Sequence, residues 1–151
     1  MKKITRSHLL CLGFIAAMPI ARGAGIEGSP PVALPEIAVE QPVGTDLDDG
    51  DNKISFGIVK IGKTGAVTFT IRNLGNKVLT GLSLKLDGMN PGDFVVKPLT
   101  TTRLTPGTST TFKVIFKPTA TGTRNGKIHI KSNDADENPF DIRVSGFGKN
   151  P

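Results

Sequence analysis

Thr110-Thr111-Phe112-Lys113-Val114-Ile115-Phe116-Lys117-Pro118, followed by Lys127-Ile128-His129-Ile130-Lys131-Ser132 and by Pro139-Phe140-Asp141-Ile142-Arg143-Val144-Ser145-Gly146, decides the fold. Each block alternates apolar and polar residues, and turn residues separate the blocks. A period of two puts Phe112, Val114 and Phe116 on one face of a strand, then Ile128 and Ile130, then Phe140, Ile142 and Val144. Such alternation marks half-buried strands whose apolar faces need a second sheet to cover them.

Working outward, the same pattern recurs. Residues 65–73 form the strongest strand, with Val67, Phe69 and Ile71 inward, and Leu74-Gly75-Asn76 turns the chain after it. Leu82, Leu84 and Leu86 make a short strand between Gly81 and Gly88, and residues 94–97 make another after the Asn90-Pro91-Gly92 turn. Earlier, Ile54, Phe56 and Ile58 alternate, and residues 35–40 form an edge strand with Ile37 and Val39 on one face. A polar loop, residues 44–52, joins the two. The expectation is an all-β, antiparallel β-sandwich of seven to eight strands.

The first residues read differently. Lys2, Lys3 and Arg6 precede an apolar stretch at residues 9–20, too short to span a bilayer. Ala21 and Gly23 then stand where a signal peptidase looks, with cleavage after Ala24 as the near alternative. The expected organisation is a signal peptide at 1–23, a flexible lead-in at 24–34, one sandwich domain at 35–148 and a tail at 149–151. Cys11 is the single cysteine and follows Leu10, not a small residue, which argues against a lipid anchor. The processed chain then has no disulfide, and with no Trp it lacks both marks of an antibody domain core. Four of the nineteen Lys and Arg residues (Lys2, Lys3, Arg6, Arg22) leave with the leader and no acid does, so the net charge falls from +6 to +2. That balance gives no reason to expect nucleic acid, and no membrane insertion is expected after cleavage. Export to the periplasm or the extracellular space follows from the leader.

At this level the chain resembles a known family. The likeness is carried by Ile54-Ser55-Phe56-Gly57 with Val59 and Gly62, by Phe69-Thr70-Ile71-Arg72-Asn73-Leu74-Gly75, and by Leu104-Thr105-Pro106-Gly107. It continues through residues 112–118, Ser132-Asn133-Asp134 and Asn138-Pro139-Phe140 to Gly146-Phe147-Gly148. In order and spacing these resemble the choice-of-anchor D domains of bacterial surface and secreted proteins, relatives of the ASH domains (abnormal spindle, spindle-defective, hydin). The resemblance covers residues 35–148. It implies an Ig-like sandwich related to the PapD and major-sperm-protein groups, and it implies no catalytic residues. Ala135 departs from the proline the family pattern has there. The sequence closes on Lys149-Asn150-Pro151 with neither an apolar tail nor a sortase-like motif. The expectation is therefore a small exported protein that is not anchored by its own C-terminus.

Candidate chemistry is sparse. Asp46, Asp48, Asp49 and Asp51 could offer oxygen ligands to calcium, but their spacing fails the EF-hand pattern, and they read first as a solvated connection. A second acidic group, Asp134, Asp136, Glu137 and Asp141, joins the first only if the fold brings them together. Asn133 and Asp134 read as caps of a local turn. His129, flanked by inward Ile128 and Ile130, is expected to face solvent, and one histidine without cysteine builds no zinc site. Ser55, Ser83, Ser109, Ser132 and Ser145 stand in no nucleophile-elbow context. No cofactor is implied. The leading expectation is an exported, non-catalytic structural or interaction module of the bacterial envelope or extracellular space, with another envelope or extracellular protein as partner. Two alternatives stand beside it: a small-ligand or glycan-binding domain assisted by calcium, and a cytoskeletal or ciliary scaffold of the ASH type.

Overall fold

The computed structural model describes residues 32–151; the signal peptide expected at 1–23 and most of the lead-in expected at 24–34 lie outside the described residues. Eight strands form: β1 Ile37–Glu40, β2 Lys53–Lys60, β3 Gly65–Asn73, β4 Ser83–Asp87, β5 Phe94–Val96, β6 Ser109–Phe116, β7 Gly122–Lys131 and β8 Phe140–Lys149. A 3-10 turn, Pro91–Asp93, leads into β5. The strands make two four-stranded sheets, in the orders β1-β3-β6-β5 and β2-β8-β7-β4. Their apolar faces meet, as the alternation requires. Phe69, Ile71, Phe112, Val114 and Phe116 of the first sheet bury against Ile128, Ile130, Phe140, Ile142 and Val144 of the second.

Two pairs of rings organise that core. Phe69 stacks on Phe112 with centroids 5.0 Å apart, and Phe94 stacks on Phe116 at 4.9 Å, with Phe56 edge-on to Phe94 at 5.7 Å. The inward column of β8 tapers to meet the second group. It runs Phe140, Ile142, Val144, Gly146, Gly148. A Cβ on Gly146 would enter the Phe116 ring, and one on Gly148 would enter the Ala120 carbonyl. The glycines of the Gly146-Phe147-Gly148 motif thus vacate space that the aromatic cluster and the β6–β7 connection occupy.

Two expectations need correction. The sandwich is not wholly antiparallel: β2 runs parallel to β8, with Lys53 opposite Arg143 and Lys60 opposite Lys149. Side-chain alternation carries no strand direction, and a parallel pair needs only a long connection, here the whole intervening domain. Ile58 does not face in. Gly57 has a positive φ of 68°, and the register shifts between Ser55 and Ile58. This bulge turns Ile58 outward at 71 % exposure and buries Val59 in its place. Before β1, the Leu34 amide donates to Asn76 Oδ1 at 2.9 Å.

Loops are held by buried amides and carboxylates. Asn73, fully buried, donates from Nδ2 to the carbonyls of Lys77 (2.7 Å) and Leu104 (3.0 Å), and its Oδ1 accepts from the Gly75 amide at 3.0 Å. The polar 44–52 loop sends Leu47 into the core, where the Leu47 amide donates to the Val39 carbonyl at 2.8 Å.

Candidate functional site

Three polar assemblies stand on this frame. At one end of the sandwich, the turn after β7 and the strand entry before β1 bring Glu36, Asp134 and Asp136 together, with carboxylate oxygens within 4.8 Å of one another. Asp134 does more than cap its own turn. Its Oδ2 accepts from the Ile37 amide at 2.8 Å, ninety-seven residues away, while Oδ1 accepts locally from Asp136. Asn133 likewise reaches across, accepting from the Thr80 amide at 2.7 Å. These two residues pin β1 and the segment before β4, which a local reading of Ser132-Asn133-Asp134 could not reveal.

The same end includes Glu137. Burial, then the charges of Asp134, Glu36, Asp49 and Asp136, push its carboxyl up from 4.5 to about 7. Asp49 therefore joins the second acidic group, and its Oδ1 accepts from the Asp141 amide at 2.7 Å. The fold brings the two acidic stretches side by side through that one residue. Among the described residues, Asp46, Asp48 and Asp51 do not complete a ligand set of this kind; the converging set is Glu36, Asp134 and Asp136. Three carboxylates at such spacing offer the hard oxygen donors that calcium prefers.

The raised acid makes a pH prediction. Between 4.5 and about 7 the folded chain holds a proton on Glu137 that the unfolded chain has lost, so stability falls as pH rises through that window. Burial raises Asp134 in the same sense. Glu137→Gln is expected to flatten the decline and to raise the melting temperature at about pH 8, read from thermal melts across that range.

The second assembly is on the outer face of the second sheet. His129 does not simply face solvent. Its Nδ1 lies 2.5 Å from Asp141 Oδ1 and its Nε2 lies 3.0 Å from Asp87 Oδ1, so both ring nitrogens meet carboxylates. Lys127 Nζ also reaches Asp141, at 2.8 Å. The hydrogen bond from His129 holds the Asp87 carboxyl below its usual range. Burial raises Asp141, but bonds from Lys127 and His129 outweigh it and the net direction is down. Among the described residues no hydroxyl bonds to His129, Asp87 or Asp141. Ser55 and Ser132 instead accept from the amides of Gly57 and Asp134, as turn supports.

The third is Asp93, buried where the 3-10 turn meets the β6–β7 connection. It accepts from the Arg124 side chain, from the Thr119 amide at 2.9 Å and from the Thr119 hydroxyl at 2.6 Å. Every buried side-chain polar atom among the described residues has a partner.

The outer face of the second sheet carries two shallow grooves among the described residues. One, about 250 Å³, is lined by Ser55, Gly57, Ile58, Thr123 and Phe147. The other, about 330 Å³, is lined by Lys53, Met89, Gly126, Lys127, Arg143 and Val144. Both were missed by the sequence reading, because they depend on which strands lie side by side. No helix among the described residues is long and apolar enough to cross a membrane.

Two facing four-stranded sheets with this order define an Ig-like sandwich of the PapD-like class. The chain belongs to the family described as Cep192 domain 4, whose model matches residues 47–149. Solved structures share the fold at low identity. A protein of unknown function from Porphyromonas gingivalis W83 superposes with a TM-score of 0.60 at 18% identity, covering 79% of this chain and 50% of that one. The ASH/PapD-like domain 7 of human CEP192 gives 0.50 at 13% identity, over 90% of this chain and 99% of that domain. The VesB protease of Vibrio cholerae gives 0.53 at 20% identity, over 64% of this chain and 30% of that one. The chain thus spans half the length of the first of these and less than a third of the last. No curated protein matches the sequence.

Proposed function

We propose that the chain is an exported, non-catalytic protein-interaction module of the bacterial envelope or extracellular space, of the choice-of-anchor D type. The observation that carries this reading is the contrast between inside and outside. Among the described residues every buried polar side-chain atom has a hydrogen-bond partner, whereas the large apolar side chains of Ile58 and Phe147 stand exposed on the outer face of the second sheet. A rigid sheet face with exposed Ile58, Phe147 and Met89 suits contact with another macromolecule better than turnover of a small one. The leader pattern of residues 1–23 supports export, and the absence of cysteine beyond Cys11 fits a domain that relies on its core rather than on disulfides.

The test uses the full chain carrying a C-terminal tag in its own cells. Fractionation and N-terminal sequencing should find the protein in the envelope or medium, beginning at Ala24 or Gly25. Crosslinking there should retain a discrete protein partner. An unprocessed chain confined to the cytoplasm, or a processed chain that retains no protein, contradicts the reading.

A further inference from the structure

Strand register arranges the outer side chains of the second sheet in rows. Lys53, Arg143 and Lys127 stand directly opposite one another on β2, β8 and β7, and Asp87 of β4 ends the row opposite Lys127. Lys60 stands opposite Lys149. With Lys85 and Lys131, seven Lys and Arg residues occupy the outward positions of this sheet, against two acids, Asp87 and Asp141. Both acids are already engaged, Asp141 by Lys127 and His129, and Asp87 by His129 and Lys85. Lys53 and Arg143 have no acidic partner among the described residues. Like charges placed opposite each other on neighbouring strands destabilise a sheet. The domain beyond the leader carries a net charge of only +2, so this excess is local, while acids gather at the end of the sandwich around Glu36, Asp134, Asp136 and Glu137. A face that keeps Lys53 and Arg143 opposite each other with no acid beside them is matched by a partner that neutralises them.

Apolar side chains stand beside that row. Met89, 83 % exposed, walls the groove that Lys53 and Arg143 line. Further along β8, Phe147 is paired with Ile58. Arg143 and Phe147 are four residues apart on one strand, about 13 Å at the usual rise.

We propose that this basic face binds a short, extended acidic segment of a partner protein, with carboxylates on Lys53 and Arg143 and an apolar side chain on Ile58 and Phe147. The proposal rests on the interaction-module reading and names its surface and the chemistry of its partner. A long uniform polyanion such as nucleic acid fits less well, because it would cross the acidic end and leave the apolar residues uncovered.

The experiment is fluorescence anisotropy of the full chain with a labelled peptide carrying two glutamates and, four positions on, a leucine. Binding is expected that weakens steeply with salt and falls about tenfold in Lys53→Glu/Arg143→Glu. Ile58→Ser should weaken it several-fold with little change in salt dependence. The charge-reversed variant again sets like charges opposite each other; Lys53→Ser/Arg143→Ser removes the repulsion, should melt no lower than the parent and should lose the salt-sensitive binding as well. No binding at low salt, equal binding by parent and variants, tighter binding of a single-stranded DNA oligonucleotide or of phosphatidylglycerol vesicles, or self-association through this face in sedimentation would each overturn the proposal. If the double variant still crosslinks the parent's envelope partner, the face is wrong and the module reading stands. If the parent itself retains no partner, that reading fails as well.

Discussion

Asp93→Ala is expected to lower the unfolding free energy by about 3–5 kcal/mol, a large part of what a domain of this size has. Asp93 is 2 % exposed and takes three hydrogen bonds, two from Thr119 and one from Arg124. Truncation leaves the Arg124 charge beside a void and a Thr119 amide without an acceptor. The loss comes from those abandoned groups more than from the pair itself. Burial alone would raise the Asp93 carboxyl, but the bonds from Thr119 and Arg124 and the Arg124 charge bring it below 3.8. A depressed acid stabilises above its unfolded value and loses that contribution as pH falls through its folded value. Urea denaturation should therefore show a wide gap between parent and Asp93→Ala at neutral pH, narrowing in strong acid. A gap independent of pH would mean that the carboxylate charge contributes little.

Phe116→Ala is the second large effect, about 3–5 kcal/mol for a buried aromatic whose neighbours cannot collapse into the hole. Phe116 is fully buried, stacks on Phe94 and lies over Gly146. Gly146→Val alone should also destabilise, by about 1–3 kcal/mol, because the new side chain enters the ring. Combined, the two should destabilise by clearly less than their sum, since the valine fills space that the ring has left. Chemical denaturation of the parent, both single variants and the double variant measures this coupling. Strict additivity would separate the two residues and remove the explanation given for the glycine.

The fold was legible where one physical rule sufficed. In β6 and β7 a single face is buried, and in β8 only Ser145 departs from that, so alternation names the inward residues of each strand correctly. In β2 the rule fails at Gly57. A glycine inside a strand, followed by the adjacent apolar pair Ile58 and Val59, is the signal of a bulge and could have been read as one. The parallel pairing of β2 with β8 left no such mark. Asp134 and Asn133 look local because their types favour turns, while their strongest partners, Ile37 and Thr80, are brought near only by the closed sandwich. The same holds for the candidate surface. Each strand shows its own lysines and arginine, but that Lys53, Arg143 and Lys127 fall in one row is a property of register. Net charge hid it, because the acids that balance the total lie elsewhere.

The most direct test of a rigid scaffold that binds through its second sheet is a nitrogen–proton correlation spectrum of the full chain, titrated with the glutamate–leucine peptide. Shift changes are expected on β2, β7 and β8 near Lys53, Lys127, Arg143 and Phe147, while the amides of β3 and β6 keep their positions and their slow hydrogen exchange. Changes centred on the acidic end around Asp134, or a loss of protection throughout the core, would contradict the account.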